Sequence, residues 1–214
     1  MTVNEALLAR HSMRAYKPES IPRDILVKVL KDAAQTPSWA NSQPWEIIVA
    51  EGETLKRIKA GYADCYAKAV TANPELARPT EWSDAAKKRQ QGLFPDMMRD
   101  CGDDVKQFGS LNQKMFDAPT VIYICMDKCL STWSIYDIGA YTHSLMLSAV
   151  ENGLDTIPAV TLVLYPEVLR KELDVPENLQ IIIGIAIGYI DETNGINNFH
   201  SARSPIEENV KFCE

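Results

Sequence analysis

Residues 10–16 read RHSMRAY, and residues 37–45 read PSWANSQPW. The first stretch places two guanidinium groups, Arg10 and Arg14, on either side of the Ser12 hydroxyl and beside the His11 imidazole. Arginine presents a planar fork of fixed donors, and charge-assisted bonds to an anion contribute about 1.5–3 kcal/mol each. Such a cluster suits an anion with several acceptor oxygens. On composition alone, Arg10 and Arg14 read as surface charges after a short helix, and it is the second stretch that argues for a site. It supplies Ser38, Asn41, Ser42 and Gln43 between Pro37, Pro44 and the rings of Trp39 and Trp45. That mixture suits a rigid loop beside a planar polar ligand, with Trp39 as ligand neighbour and Trp45, at a strand start, as core anchor.

Around these stretches, Asn4 is placed to cap a short helix reaching Arg10, and Ser20 a second helix with Ile25, Val29, Leu30 and Ala33 as its apolar stripe. Residues 45–50 read as a strand. Residues 53–73 read as a helix with Leu55, Ile58, Ala69 and Val70 inward, ended by Pro74 and Pro79. Residues 74–112 join a charged segment to Leu93, Phe94, Met97 and Met98; they predict a variable flap with helical pieces, for which a plain helix packed on the core is the simpler reading. DAPTVIYICMD (117–127) predicts a buried strand. Residues 133–152 predict a helix whose only charge between Ile135 and Val150 is Asp137. A helix apolar nearly all round must be buried, which suggests a subunit interface and makes His143 a packed core residue. Pro158 then opens a short apolar loop, Pro166 starts a helix, residues 180–189 form a strand, and the last 25 residues form a polar tail. Helices outnumber strands without regular alternation, so the expected class is α+β, in a single domain over residues 1–214.

The chain has 22 Lys plus Arg against 29 Asp plus Glu, a net charge of −7, which argues against a nucleic-acid surface. No apolar run approaches the roughly 20 residues that span a bilayer, and the start MTVNEALLAR lacks the apolar stretch of a signal peptide. A cytoplasmic protein with no membrane association is expected. Five cysteines form an odd set with no CxxC pair, and none of the three histidines sits at ligand spacing with a cysteine. Reduced thiols and no metal are therefore expected.

The nucleotide loops GxxxxGK[ST] and GxGxxG are absent, as are a GxSxG elbow and a cysteine with an instructively placed histidine. What remains is a phosphorylated planar cofactor that brings its own chemistry while the protein supplies orientation and charge. RHSMRAY, PSWANSQPW, GLDTIPAV (153–160), GIAIGYID (184–191) and ARSPIEENVKF (202–212), in this order and spacing, resemble the FMN-dependent nitroreductase family. APTVIYICMD (118–127) and TWSIYDIGAY (132–141) are similar to its nitrobenzoate-reductase branch. The resemblance covers nearly the whole chain and weakens only between about 74 and 110.

The resemblance implies a nitroreductase-like fold, with a central, mostly antiparallel (mixed) sheet flanked by helices. It also implies a homodimer holding FMN at the subunit interface, with the C-terminal tail extending onto the partner subunit. Arg10, His11, Ser12 and Arg14 would bind the ribityl phosphate and pyrimidine edge, with Arg203 joining at the phosphate. Pro37, Ser38, Trp39 and Asn41 would reach the flavin from the other subunit. Pro158, Ala159, Val160 and Thr161 would lie along the isoalloxazine, with Asn112 and Lys114 on the pyrimidine side. Three positions depart from the family pattern: Trp39 stands where many relatives have a small hydroxyl residue, Val160 where well-studied members have an acid, and Ser201 where some have a lysine. The implied activity is that of an FMN-dependent NAD(P)H oxidoreductase. NADH or NADPH and an electron-poor acceptor, a nitroaromatic compound or quinone, use the same space in turn, so kinetics are ping-pong. The flavin N5 atom, and no side chain, carries the chemistry. The same fold and cofactor also suit dehalogenation, flavin destruction or ene reduction, or a low-turnover flavin carrier or sensor.

Overall fold

Four strands form one antiparallel sheet in the order β1-β2-β4-β3 in the computed structural model, which describes residues 1–213. They are β1 (Glu46–Glu51), β2 (Thr120–Asp127), β3 (Asp155–Ala159) and β4 (Leu179–Gly188). The central β2 is buried from Thr120 to Met126 because helices cover both faces of the sheet, so its sequence is continuously apolar rather than alternating. On one face lie α2 (Arg23–Ala33) and α6 (Thr132–Glu151), whose Leu26, Val29, Ile138, Tyr141 and Leu145 cover Ile122, Ile124, Ile185 and Ile187. On the other lie α3 (Gly52–Ala67), α4 (Asp84–Cys101), α5 (Phe108–Gln113) and α7 (Pro166–Leu173). Their Leu55, Ile58, Met97, Leu111 and Leu169 pack with Val121, Tyr123, Ile181 and Ala186. Trp45 stacks on Tyr141 with ring centroids 4.7 Å apart, in keeping with a core anchor.

Several boundaries differ from the sequence expectations for local reasons. The first helix, α1 (Val3–Ala9), is capped by Thr2 and not Asn4: Glu5 N–H donates to the Thr2 hydroxyl, and Thr2 N–H donates back to the Glu5 carboxylate at 2.7 Å. Helix α2 enters through Pro22, whose preset φ replaces a Ser20 cap. Helix α3 stops at Ala67 instead of running on to Asn73. Ala69 takes a left-handed φ of 51°, its N–H donates to Tyr66 O and Val70 N–H donates to Cys65 O, a Schellman-type stop made without glycine. Val70 is consequently exposed. The flap region holds a regular 18-residue helix, α4, with Met97 buried and Leu93, Phe94 and Met98 exposed. Pro158 lies within β3 rather than opening a loop; β3 is an edge strand, where a missing N–H is tolerated. Finally, α6 is covered on one side only: His143, Trp133 and Tyr136 are exposed.

The connection between α3 and α4 is fastened to β4 by Glu75. Its carboxylate accepts from Arg170 Nε (2.6 Å), Arg170 Nη2 (2.9 Å) and Ile181 N–H (2.8 Å), while Arg170 Nη2 also donates to Leu179 O at 2.6 Å. The Glu75 and Arg170 side chains are only 18% and 24% exposed, so losing one leaves the other under-solvated. Glu75→Ala is expected to lower stability by about 2–3 kcal/mol in chemical denaturation. Lys68→Ala, which removes only a solvated helix pair with Asp64, is expected to leave the midpoint unchanged. Equal effects of the two variants would contradict this account.

Candidate functional site

After α1 the chain becomes extended along the free edge of β3. Ser12 bridges Thr156 in parallel, Met13 N–H donates to Thr156 O at 3.1 Å, and Tyr16 bridges Ile190. Among the described residues this is the one parallel pairing beside an otherwise antiparallel sheet. Asn197 locks the segment. Its carboxamide oxygen accepts from Arg14 N–H (2.7 Å) and Ala15 N–H (3.2 Å), and its NH2 donates to Ala15 O (2.9 Å) and Asp191 O (3.1 Å). All four hydrogen-bonding positions of a buried side chain are thereby used.

The Arg14 guanidinium lies between the rings of Phe108 and Phe199, 5.8 and 5.5 Å from their centroids, and donates to Ser12 O at 2.8 Å. Burial pulls its pKa below the usual arginine value. Burial also lowers that of Arg10, and the neighbouring Arg203 charge adds to the effect. His11 stacks on His200, with centroids 3.6 Å apart. Its Nδ1 faces the Ala9 carbonyl at 2.9 Å, which can only accept, so Nδ1 carries the hydrogen and Nε2 is left open. Desolvation is the main cause of a lowered His11 pKa. Arg10, His11, Ser12, Arg14 and Ser201 line a cavity of about 80 Å³, with Leu93 of α4 and Phe199 completing its wall. Among the described residues, no carboxylate pairs with Arg10, Arg14 or Arg203. Clustered guanidinium groups without a counter-charge fit a phosphate, whose oxygens match their forked donors.

The 37–45 loop is built separately. Asp137, 5% exposed on α6, accepts from Trp39 N–H at 3.1 Å, and the Ser38 hydroxyl accepts from Gln43 N–H at 2.9 Å. These bonds hold Ala40, Asn41 and Gln43 at left-handed φ values of 51°, 55° and 46°. For non-glycine residues other than Asn that conformation costs about 1 kcal/mol each. Trp39 is 67% exposed and meets Trp133 edge-on at 6.0 Å. The loop shares no cavity with Arg10–Arg14 within one chain.

Of the remaining expected residues, Pro158 and Ala159 end β3, and Val160 and Thr161 begin a 3-10 turn. Gly184 lets this turn seat on the sheet, since a Cβ there would come within 2.5 Å of Leu162 Cβ. The Thr161 hydroxyl donates to the Asn112 carboxamide at 3.3 Å, so these two meet. Lys114 is exposed just after α5. Arg203 is exposed, and its guanidinium donates to Ser201 O and Oγ at 2.8 and 2.7 Å. Sequence reasoning missed Asn197, His200 and the Phe108–Phe199 pair. Nothing in GINNF distinguishes Asn197 from Asn198. For Asp137 the signal was present, as the single charge in an apolar helix.

The sequence pattern of the nitroreductase family matches residues 7–189. Chloronitrobenzene nitroreductase of Comamonas testosteroni is 27% identical over 218 residues, covering 98% of this chain and 96% of that protein. 4-Nitrobenzoate reductase of Pseudomonas putida is 28% identical over 201 residues, covering 91% and 88%. Among solved structures, the FMN and NADPH-dependent nitroreductase NfnB from Sphigopyxis sp. strain HMH superimposes with a TM-score of 0.92 at 25% identity, over 100% of both chains.

Asn197→Ala would leave the Arg14 and Ala15 amides without their acceptor, and is expected to cost about 2–3 kcal/mol in denaturation. Asn209→Ala, at an exposed position, should leave stability unchanged. A fully stable Asn197→Ala protein would show that the carboxamide does not hold the segment.

Proposed function

The chain belongs to the nitroreductase family, and from that premise we propose that it is an FMN-dependent oxidoreductase drawing reducing equivalents from NADPH or NADH. Its acceptors are electron-poor compounds, nitroaromatics and quinones, reduced in a ping-pong cycle. The observation that carries this reading is that Arg10 and Arg14 line one cavity and the exposed Arg203 acts on Arg10, all three without a carboxylate partner among the described residues. When bound, FMN supplies the two-electron transfer between nicotinamide and acceptor. Arg10, His11, Ser12 and Arg203 would hold its phosphate and ribityl chain. Arg14, Asn112 and Lys114 would hold the pyrimidine edge, where the two cations stabilise the negative charge that reduction brings. Pro158, Ala159, Val160 and Thr161 would support the ring system. No side chain is required as acid or base.

In this reading a second copy of the chain completes the site, as a homodimer, through Pro37, Ser38, Trp39 and Asn41. The separation of that loop from the arginine cavity within one chain supports it. So do the exposed Val3, Leu7 and Leu8 of α1, which leave an apolar surface to be covered. The exposed Ile206, Val210 and Phe212 support a tail that extends onto the partner. Among the described residues no helix is long and apolar enough to cross a membrane. Five free cysteines support a reducing, cytoplasmic setting.

The purified protein is expected to be yellow, to bleach with NADPH or NADH without air, and to recover its colour on addition of a nitroarene. A protein that takes up no FMN would remove the proposal; bleaching that no acceptor reverses would favour a carrier. Arg203→Ala is expected to weaken FMN binding roughly thirtyfold, the loss of one charged phosphate contact of about 2 kcal/mol. Unchanged affinity in a titration would remove Arg203 from the phosphate site.

A further inference from the structure

A second cavity, of about 540 Å³, lies between the 37–45 loop and the first turns of α6, lined by Pro37, Ser38, Trp39, Trp133, Tyr136 and Asp137. Its walls are flat aromatic groups: Trp39, Trp133 and Tyr136 are 67%, 66% and 77% exposed and together form one contiguous apolar patch. The Trp39 backbone is held in place, because its amide N–H is bound by Asp137 and its loop is closed by the Ser38–Gln43 bond. The Asp137 carboxylate and the Ser38 hydroxyl are thus engaged within the loop and its anchor. No lysine, arginine or histidine lines the cavity, and its one ionisable group besides the Tyr136 phenol is the Asp137 carboxylate.

A carboxylate-bearing ligand entering this space would lose hydration, meet no cation of the chain that lines it and approach Asp137. An uncharged ring stripped of electron density by a nitro group would lie against electron-rich indole and phenol faces. Relatives of this chain are named for substrates of both kinds, a chloronitrobenzene and a nitrobenzoate. From the charge and shape of this cavity we infer that the chain selects uncharged nitroarenes over nitrobenzoates, with Trp133 and Tyr136 as specificity-determining residues. The inference rests on the oxidoreductase reading above and adds the substrate class to it.

The test uses the FMN-loaded enzyme with NADPH and three acceptors: nitrobenzene, 4-nitrobenzoate and menadione. Nitrobenzene is expected to exceed 4-nitrobenzoate in kcat/KM by at least about tenfold, with the difference in KM. Tyr136→Arg, at an exposed position, brings a cation to the rim and is expected to shrink that ratio by at least about fivefold. Menadione turnover without a nitrobenzene preference, or a ratio that Tyr136→Arg does not change, overturns the inference and leaves the oxidoreductase reading standing. If no acceptor is turned over, that reading fails instead, and binding alone decides the selectivity. The Trp39 and Trp133 indole N–H resonances of the oxidised protein should shift with nitrobenzene and not with equal 4-nitrobenzoate. Equal shifts, or none, overturn it.

Discussion

Arg10 and Arg14 bring positive charge into a partly buried corner, with the exposed Arg203 close by; among the described residues no carboxylate pairs with them, and the surrounding structure is arranged to tolerate that. Arg10 and Arg14 both lose hydration and the Arg203 charge weighs on Arg10, so an unsupported segment would swing its arginines into water. Three devices prevent this. The edge of β3 takes the backbone at Ser12 and Met13, the Asn197 carboxamide takes it at Arg14 and Ala15, and Phe108 with Phe199 confines the Arg14 side chain. The stability of the core is thereby used to keep an unneutralised site open, as expected where an anion is to be bound without reorganisation.

The second half of the site follows a different physical plan. The 37–45 loop stores left-handed backbone at Ala40 and Gln43, and one buried carboxylate, Asp137, ties it to the helix below. Strain of this kind persists only where surrounding bonds over-determine the geometry. The result is an aromatic wall beside a cavity that no cation of the same chain lines, while Arg10 and Arg14 lie in the other segment. One chain therefore carries an anion grip and an aromatic wall that do not share a cavity. Two copies facing each other would combine them, and the proposed homodimer rests on that division.

Much of this was legible in the residues. The apolar runs at 120–127 and 179–188 became the two central strands, Pro166 opened α7, and the two quoted motifs line separate cavities. What was not legible depends on features that sequence does not mark. The stop of α3 uses an alanine in the left-handed conformation where glycine is the usual signal, and β3 contains a proline that only an edge position permits. The exposed face of α6 could not be told from a buried one, because its aromatic residues leave no polar stripe. Asn197 acts through backbone groups nearly two hundred residues away, a pairing that no local pattern records.

If Arg10 and Arg203 exist to meet a phosphate, the phosphate must account for much of the affinity. The direct measurement is a comparison of FMN with riboflavin in titrations of the flavin-free protein. With two arginine contacts of about 1.5–3 kcal/mol each, FMN should bind on the order of a thousandfold more tightly. Riboflavin binding within a few fold of FMN would contradict the account, because the arginine cluster would then be serving some other purpose.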